Sequence, residues 1–306
     1  MRIESDEGRQ PPASNGRRLA RCGLAMAAAM MASANVHAVD ADAGDTTTPP
    51  VGRHLVLLYL QHSQQDKQYA GGDLVDDDGH LYVNAMSLRW VRPFEVGTLA
   101  MGPQVIVPTV SLRTSGSLSA LGDETALGDV ILTFAIWPIR RPETRTHMII
   151  NPFVIVPTGR YDRDSALNIG ENRYRAGVQL GYGSNITDNV SVEVFVDGTF
   201  YAKNDEFTPA SLTLRQKPLY QAQAWLSWHA SPTTVYAAGL SNTFGGEGEV
   251  EGIDQGNRRN TTKFLLTTSR FVNETTQLLF SVGRDLEVEN GGKESARVNF
   301  RLLKLF

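Results

Sequence analysis

From Tyr174 to Tyr182 every second residue is apolar or aromatic, and Arg175, Gly177, Gln179 and Gly181 between them are polar or small. Side chains that alternate in this way project to opposite faces of a strand, whereas a helix repeats its apolar positions at three and four. The pattern returns in Val190, Val192, Val194 and Val196 against Ser191, Glu193 and Asp197, and in Tyr220, Ala222, Ala224 and Leu226 against Gln221 and Gln223. It recurs in Leu278, Phe280 and Val282, and in Ala296, Val298, Phe300 and Leu302 against Arg297, Asn299 and Arg301. Such segments fall near 51–62, 81–91, 98–112, 129–137, 147–157, 173–183, 190–202, 214–229, 233–242, 260–271, 276–288 and 294–306. They predict an all-β chain of about twelve strands. The first, third, fourth and tenth show the least contrast between their two faces.

An even strand count suits a closed antiparallel barrel with both termini on one side. The connections support closure, because long ones (64–80, 113–128, 158–172, 203–213, 243–259) alternate with short ones (92–97, 184–189, 230–232, 272–274). The 138–146 turn is longer than this scheme asks, and the 289–293 link is tighter. Charged residues make up 20% of the chain and no run of about 20 apolar residues exists, which removes membrane-spanning helices. Barrel strands need only every second residue to be apolar, so the expectation is a transmembrane β-barrel with its apolar rows toward lipid. Arg175, Gln179, Glu193, Asp197 and Gln221 then line the lumen, together with Gln223, Arg297, Asn299 and Arg301. Tyr174, Tyr182, Tyr220 and Trp228 lie near strand ends, where aromatic girdles form. The competing soluble, lipocalin-like barrel points its apolar row inward and uses about eight strands, fewer than are counted here. Twelve strands enclose a narrow lumen, either open or partly plugged by side chains or by the amino-terminal segment.

Arg17, Arg18 and Arg21, the apolar run 23–34 and the small-residue site Val36-His37-Ala38 have the order of a secretory signal. The expected organisation is a signal peptide over 1–38, a small, acidic, flexible lead-in over 39–50 and an outer-membrane barrel over 51–306. The sole cysteine, Cys22, falls in the signal, so the mature chain has no thiol for a disulfide, a zinc site or a nucleophile. The chain ends on Phe306, a terminal aromatic of the kind that serves as a signal to barrel-assembly machinery.

A net charge of −4 leaves no basic footprint, so nucleic acid is not an expected partner. The histidines after the signal are scattered, and neither a His-Glu-x-x-His pattern nor a Gly-x-Ser-x-Gly elbow occurs. His147 reads as a polar group of the inner face. The acidic runs at 76–78 and 247–254 lack the spacing of a calcium loop and read as solvated loops. No catalytic residue, metal or cofactor is expected.

The run Leu127-Gly128-Asp129-Val130, then Val156-Pro157-Thr158-Gly159-Arg160-Tyr161-Asp162, then Leu167-Asn168-Ile169-Gly170-Glu171-Asn172-Arg173-Tyr174 resembles the core of the transporter-like outer-membrane family named for the meta-pathway of phenol degradation. The resemblance implies a barrel associated with uptake of aromatic or other hydrophobic compounds. Its glycines and Pro157 are explained by turn chemistry where strands meet loops. A sharper expectation is that Asn168, Gly170 and Asn172 fold an inward loop that narrows the pore. The leading functional expectation is passive passage of a small-molecule solute through a lipid-embedded barrel. The alternatives are a barrel hydrolase acting on lipid or peptide, and an adhesive barrel acting through its external loops.

Overall fold

The computed structural model describes residues 40–306; the expected signal peptide and its cleavage site at Ala38 lie outside them. Twelve long strands form one antiparallel sheet: β1 Leu55–Ala70, β2 His80–Val91, β3 Leu99–Ser115, β4 Val130–Arg141, β5 Thr146–Val156, β6 Arg175–Thr187, β7 Val190–Tyr201, β8 Leu219–Ser231, β9 Thr234–Gly245, β10 Arg259–Asn273, β11 Thr276–Val288 and β12 Gly291–Leu305. Each pairs with its neighbours in the chain, and β12 pairs with β1 from Leu305↔Leu55 to Gly291↔Tyr69, which closes the sheet into a barrel. Backbone groups within hydrocarbon have no water to bond, so a closed ladder is what allows a sheet to sit there.

The pleat sorts the side chains. On β7, Ser191, Glu193, Phe195 and Thr199 are buried inside, while Val194, Val196 and Phe200 are exposed outside. The same holds on β8, with Gln221, Gln223, Trp225 and Ser227 inward and Tyr220, Leu226 and Trp228 outward. Leu60, Met86, Leu132, Val154, Leu240, Leu266, Phe280 and Val298 continue the outer apolar belt around the wall. A belt of this kind suits a lipid environment and is not the surface of a water-soluble barrel. At one rim Trp228 stacks on Tyr236 with ring centroids 5.7 Å apart.

Two strands depart most from their sequence-based spans. The first strand starts at Leu55 and runs on to Ala70, where it pairs with a short return strand, Asp73–Asp76. Its second half, from Gln61 to Gln68, is polar on both faces, so the alternation fades there. The eighth splits into Leu212–Gln216 and β8. Pro218 falls at the break and has no N–H to give to a ladder. Leu212–Gln216 instead joins Asn204–Phe207, Gly248–Val250 and Ile253–Asp254 in a small sheet made from the loops.

Val194 lies within the outer belt and Ile186 at the turn end of β6. Val194→Arg is expected to cost about 2–4 kcal/mol and Ile186→Arg about 0–1 kcal/mol, the depth dependence of a lipid-facing charge. Chemical unfolding in liposomes measures both, and equal costs would contradict the membrane placement.

Candidate functional site

Residues 40–49 do not trail away from the barrel: they enter its lumen and plug it. Two turns, Asp45 N to Asp42 O and Thr47 N to Gly44 O, compact the segment. Gly44 has φ +94°, a conformation that favours glycine. Its N–H donates to Glu193 Oε2 at 2.6 Å, and the backbone N–H and hydroxyl of Thr46 both donate to Glu193 Oε1. Glu193 therefore stands on the β7 wall as a triple acceptor for the plug. Ala41 is held on both sides, its N–H by Gln223 Oε1 and its carbonyl by the Trp225 indole.

The plug's carboxylates reach arginines of the opposite wall, and Asp40 also stays bonded to β8 through Gln221. Asp40 accepts from Gln221 at 2.7 Å and from Arg297 at 3.2 Å. Arg301 donates to Asp42 at 2.9 Å and to Asp45 at 3.0 Å, and Arg89 lies 3.9 Å from Asp45. Arg297 and Arg301 are on β12 and Arg89 on β2, the strands flanking β1, whereas Glu193 is on β7, half-way round the barrel. The segment thus spans the lumen from a cationic to an anionic wall. Space for it comes from β6: a β-carbon on Gly183 would lie 2.7 Å from Thr46 Oγ1.

The interior is apolar over much of its surface. Ala41 and Ala43 of the plug pack with Ala100, Ala135, Trp137, Ile149, Phe195 and Trp225. On the loop side, Leu167 and Ile169 of loop 157–174 turn into the lumen against Leu81, Val83, Ala85, Val110 and Leu112. These side chains take up lumen space there. Asn168 is bonded to Asp162 and Ser165, Gly170 N–H to Arg160 O, and Asn172 to Asn204 and Glu206, so these three shape the loop by bonds within the loop layer.

Charge clusters brace the loop side. Glu171 accepts from Arg173 and Arg175, and Arg175 also reaches Asp129 at 3.2 Å. Burial pushes the Glu171 carboxyl up, but Arg175 and Arg173 outweigh it and hold the group at about 2. Arg173 further stacks on Tyr201, 4.6 Å from the ring centre. Lys263, Asp285, Glu294 and Arg297 form a second cluster, with Lys263 2.8 Å from Glu294.

The lumen keeps space on both sides of the plug. A cavity of about 150 Å³ on the loop side is bounded by Asp40, Leu81, Val83, Arg173, Gln221 and Arg259. One of about 290 Å³ on the turn side is bounded by Thr46, Pro49, Leu57, Trp137, His229 and Leu303. Gln179, Asp197 and Asn299 also face inward, Asn299 donating to Ser281. His147 is buried on the inner face, its Nδ1 without a hydrogen-bond partner among the described residues. Phe306 exchanges backbone hydrogen bonds with His54 at the seam, and Arg53 Nε donates to its carbonyl at 2.6 Å. Among the described residues no group of three or more His, Cys, Asp or Glu is placed to hold a metal. Sequence reasoning missed Arg89, Trp225, Leu167 and Ile169 as lumen groups. The expectation of a lumen partly plugged by the amino-terminal segment named no wall partner for Asp40, Asp42 or Asp45.

Comparison with known proteins agrees with this architecture. The sequence profile of a family described as "Putative MetA-pathway of phenol degradation" matches residues 63–302. An outer membrane channel from Pseudomonas putida F1 is 36% identical, with a TM-score of 0.85 over 87% of this chain and 100% of that one. The β domain of the Bordetella autotransporter BrkA, 9% identical with a TM-score of 0.52, covers 84% of this chain and 100% of its own, and shares the barrel fold alone. No curated protein matches the chain.

Glu193→Gln leaves the donors of Gly44 and Thr46 facing an amide. A hydrogen bond to a charged group contributes about 1.5–3 kcal/mol, so amide exchange across 40–49 should accelerate about ten- to hundredfold while the strands stay protected. Hydrogen-exchange mass spectrometry reads both; unchanged plug protection would contradict the role given to Glu193. Because the Glu171 carboxyl is lowered from 4.5, the stability it lends the loop is present above pH 4.5 and is lost as pH falls toward about 2. Loop 157–174 should therefore exchange faster at pH 3 than at pH 6, relative to intrinsic rates, and Glu171→Gln should remove that difference.

Proposed function

Because the chain belongs to the MetA-pathway of phenol degradation family, we propose that it is an outer-membrane channel through which small aromatic or other hydrophobic compounds enter by passive diffusion. The observation that carries this reading is the nature of the obstruction. What fills the middle of the lumen is a ten-residue chain segment held by side chains, with cavities on both sides of it, and not the barrel wall itself. A segment fixed by a limited set of polar contacts can leave, whereas a covalently continuous wall cannot.

The lining fits the solute class. Leu81, Val83, Trp137, Ile149 and Phe195 offer apolar area, and Gln179, Gln221, Gln223 and Asn299 offer hydrogen bonds to a hydroxyl or carbonyl. Such groups select by size and hydrogen bonding without covalent chemistry. The similarity to an outer membrane channel over the whole of that chain supports the same reading. Export by a signal removed near Ala38, and insertion guided by Phe306 at the barrel-assembly machinery, complete the proposed route to the membrane.

Planar-bilayer recording tests the proposal. Deleting residues 40–48 should raise the unit conductance several-fold over that of the intact chain, and liposomes carrying the deletion should take up phenol faster. Absence of any conductance increment in both proteins, at every voltage, would sink the channel reading.

A further inference from the structure

The contacts that seat the plug are those of a bound ligand, and they specify its chemistry. Arg301 has two carboxylate partners among the described residues, Asp42 and Asp45, and both belong to the plug. Among the described residues the carboxylate within 4 Å of Arg89 is Asp45. Arg297 shares Glu294 of its own strand and reaches Asp40 with its remaining nitrogen. When the plug withdraws, Arg301 and Arg89 keep Gln277, Gln104 and Tyr59 as neutral partners and lose the carboxylates that lie within 4 Å of them among the described residues. An unpaired guanidinium in a low-dielectric lumen is costly, so the wall favours another carboxylate in that place.

The surroundings narrow the class further. The three arginines border a cavity of about 90 Å³ whose other walls include Ala85, Ile106, Trp225, Leu265 and Leu279. An apolar cavity of about 150 Å³ is the size that holds a benzene ring. In the cavity of about 90 Å³ an aromatic ring therefore fits only by taking the volume of Ala41, whereas the turn-side cavity of about 290 Å³, also bordered by Arg89 and Arg301, has room for a ring. What the plug withholds is the seat on the guanidinium groups, held by Asp42 and Asp45. The plug's aspartates and a solute's carboxylate compete for the same guanidinium groups.

We propose that the Arg89–Arg297–Arg301 face is a binding site for an apolar carboxylate, occupied at rest by the plug's own aspartates, and that a solute carrying an aromatic body and a carboxylate displaces the plug by competition. This deepens the channel reading by naming an anionic aromatic as the solute that opens the lumen, and it rests on that reading for its biological meaning only. A ligand that binds the unplugged state alone shifts the equilibrium by a factor of one plus its concentration over its dissociation constant. A tenfold excess over the dissociation constant thus gives about a tenfold rise in the unplugged-to-plugged ratio.

The test reads the plug directly. Thr47 is exposed on the turn side, so a Thr47→Cys, Cys22→Ser chain in liposomes carries one dye whose anisotropy reports plug mobility. At constant ionic strength, benzoate should lower the anisotropy saturably, and benzamide, its uncharged counterpart, should not. Asp45→Asn loosens the plug without touching the arginines and should lower the benzoate concentration for half effect several-fold. Arg301→Gln frees Asp42 and Asp45 as well, so it is compared with Asp45→Asn, and it should need at least tenfold more benzoate than that variant. Equal action of benzoate and benzamide, or a half-effect concentration that neither variant moves, would overturn the proposal. The dye responds whether or not ions pass, so a competent benzoate response in a barrel without conductance would dismiss the channel reading and leave this site standing.

Discussion

In hydrocarbon an unpaired backbone N–H or C=O costs several kcal/mol, and the pairing of β12 with β1 removes the two edges that would expose them. Closure then imposes the rest. It gives every strand one face toward lipid and one toward an enclosed space, and it makes the short turns and longer loops open at opposite ends. The outer belt through Val194, Leu226 and Phe280 follows from that geometry, as does the confinement of Glu193, Arg297 and Arg301 to the inside.

Enclosure changes what the inner face must satisfy. A charge in a narrow lumen lacks the full hydration of open water, so it needs a partner from another strand or from a segment folded inside. Both solutions occur. Lys263, Asp285, Glu294 and Arg297 compensate one another across neighbouring strands. Arg301, Arg89 and Glu193 depend on residues 40–46 instead. The plug is the one described element that bridges the β12–β2 side to the β7 side, and its carboxylates and backbone donors match the sign of each wall.

The alternation was most readable where the two solvents differ most, on β6, β7, β8, β11 and β12, whose inner faces carry Gln179, Glu193, Gln223, Ser281 and Arg297. It faded on β1, β3, β4 and β10, and on the first three of these the reason is visible in the packing. Their inner residues include Leu55, Leu57, Val110, Leu112, Ile131 and Ala135, which pack against the loop residues Leu167 and Ile169 or lie within the apolar clusters of the lumen. A strand with apolar contacts on both faces loses its period-two contrast. The same packing places Leu167 and Ile169 in the lumen, on a loop that Asn168, Gly170 and Asn172 shape through hydrogen bonds.

By itself the sequence determined the all-β class, the number of crossings, the alternation of long and short connections and the identity of the lipid-facing rows. Each of these depends on residues close together in the chain and on the two-residue repeat of a strand. Tertiary structure decided what fills the barrel. Asp42 meets Arg301 across 259 positions of sequence and Gly44 meets Glu193 across 149. Only the curvature of the closed sheet brings such distant groups within hydrogen-bonding distance, and no local pattern announces a partner that far away.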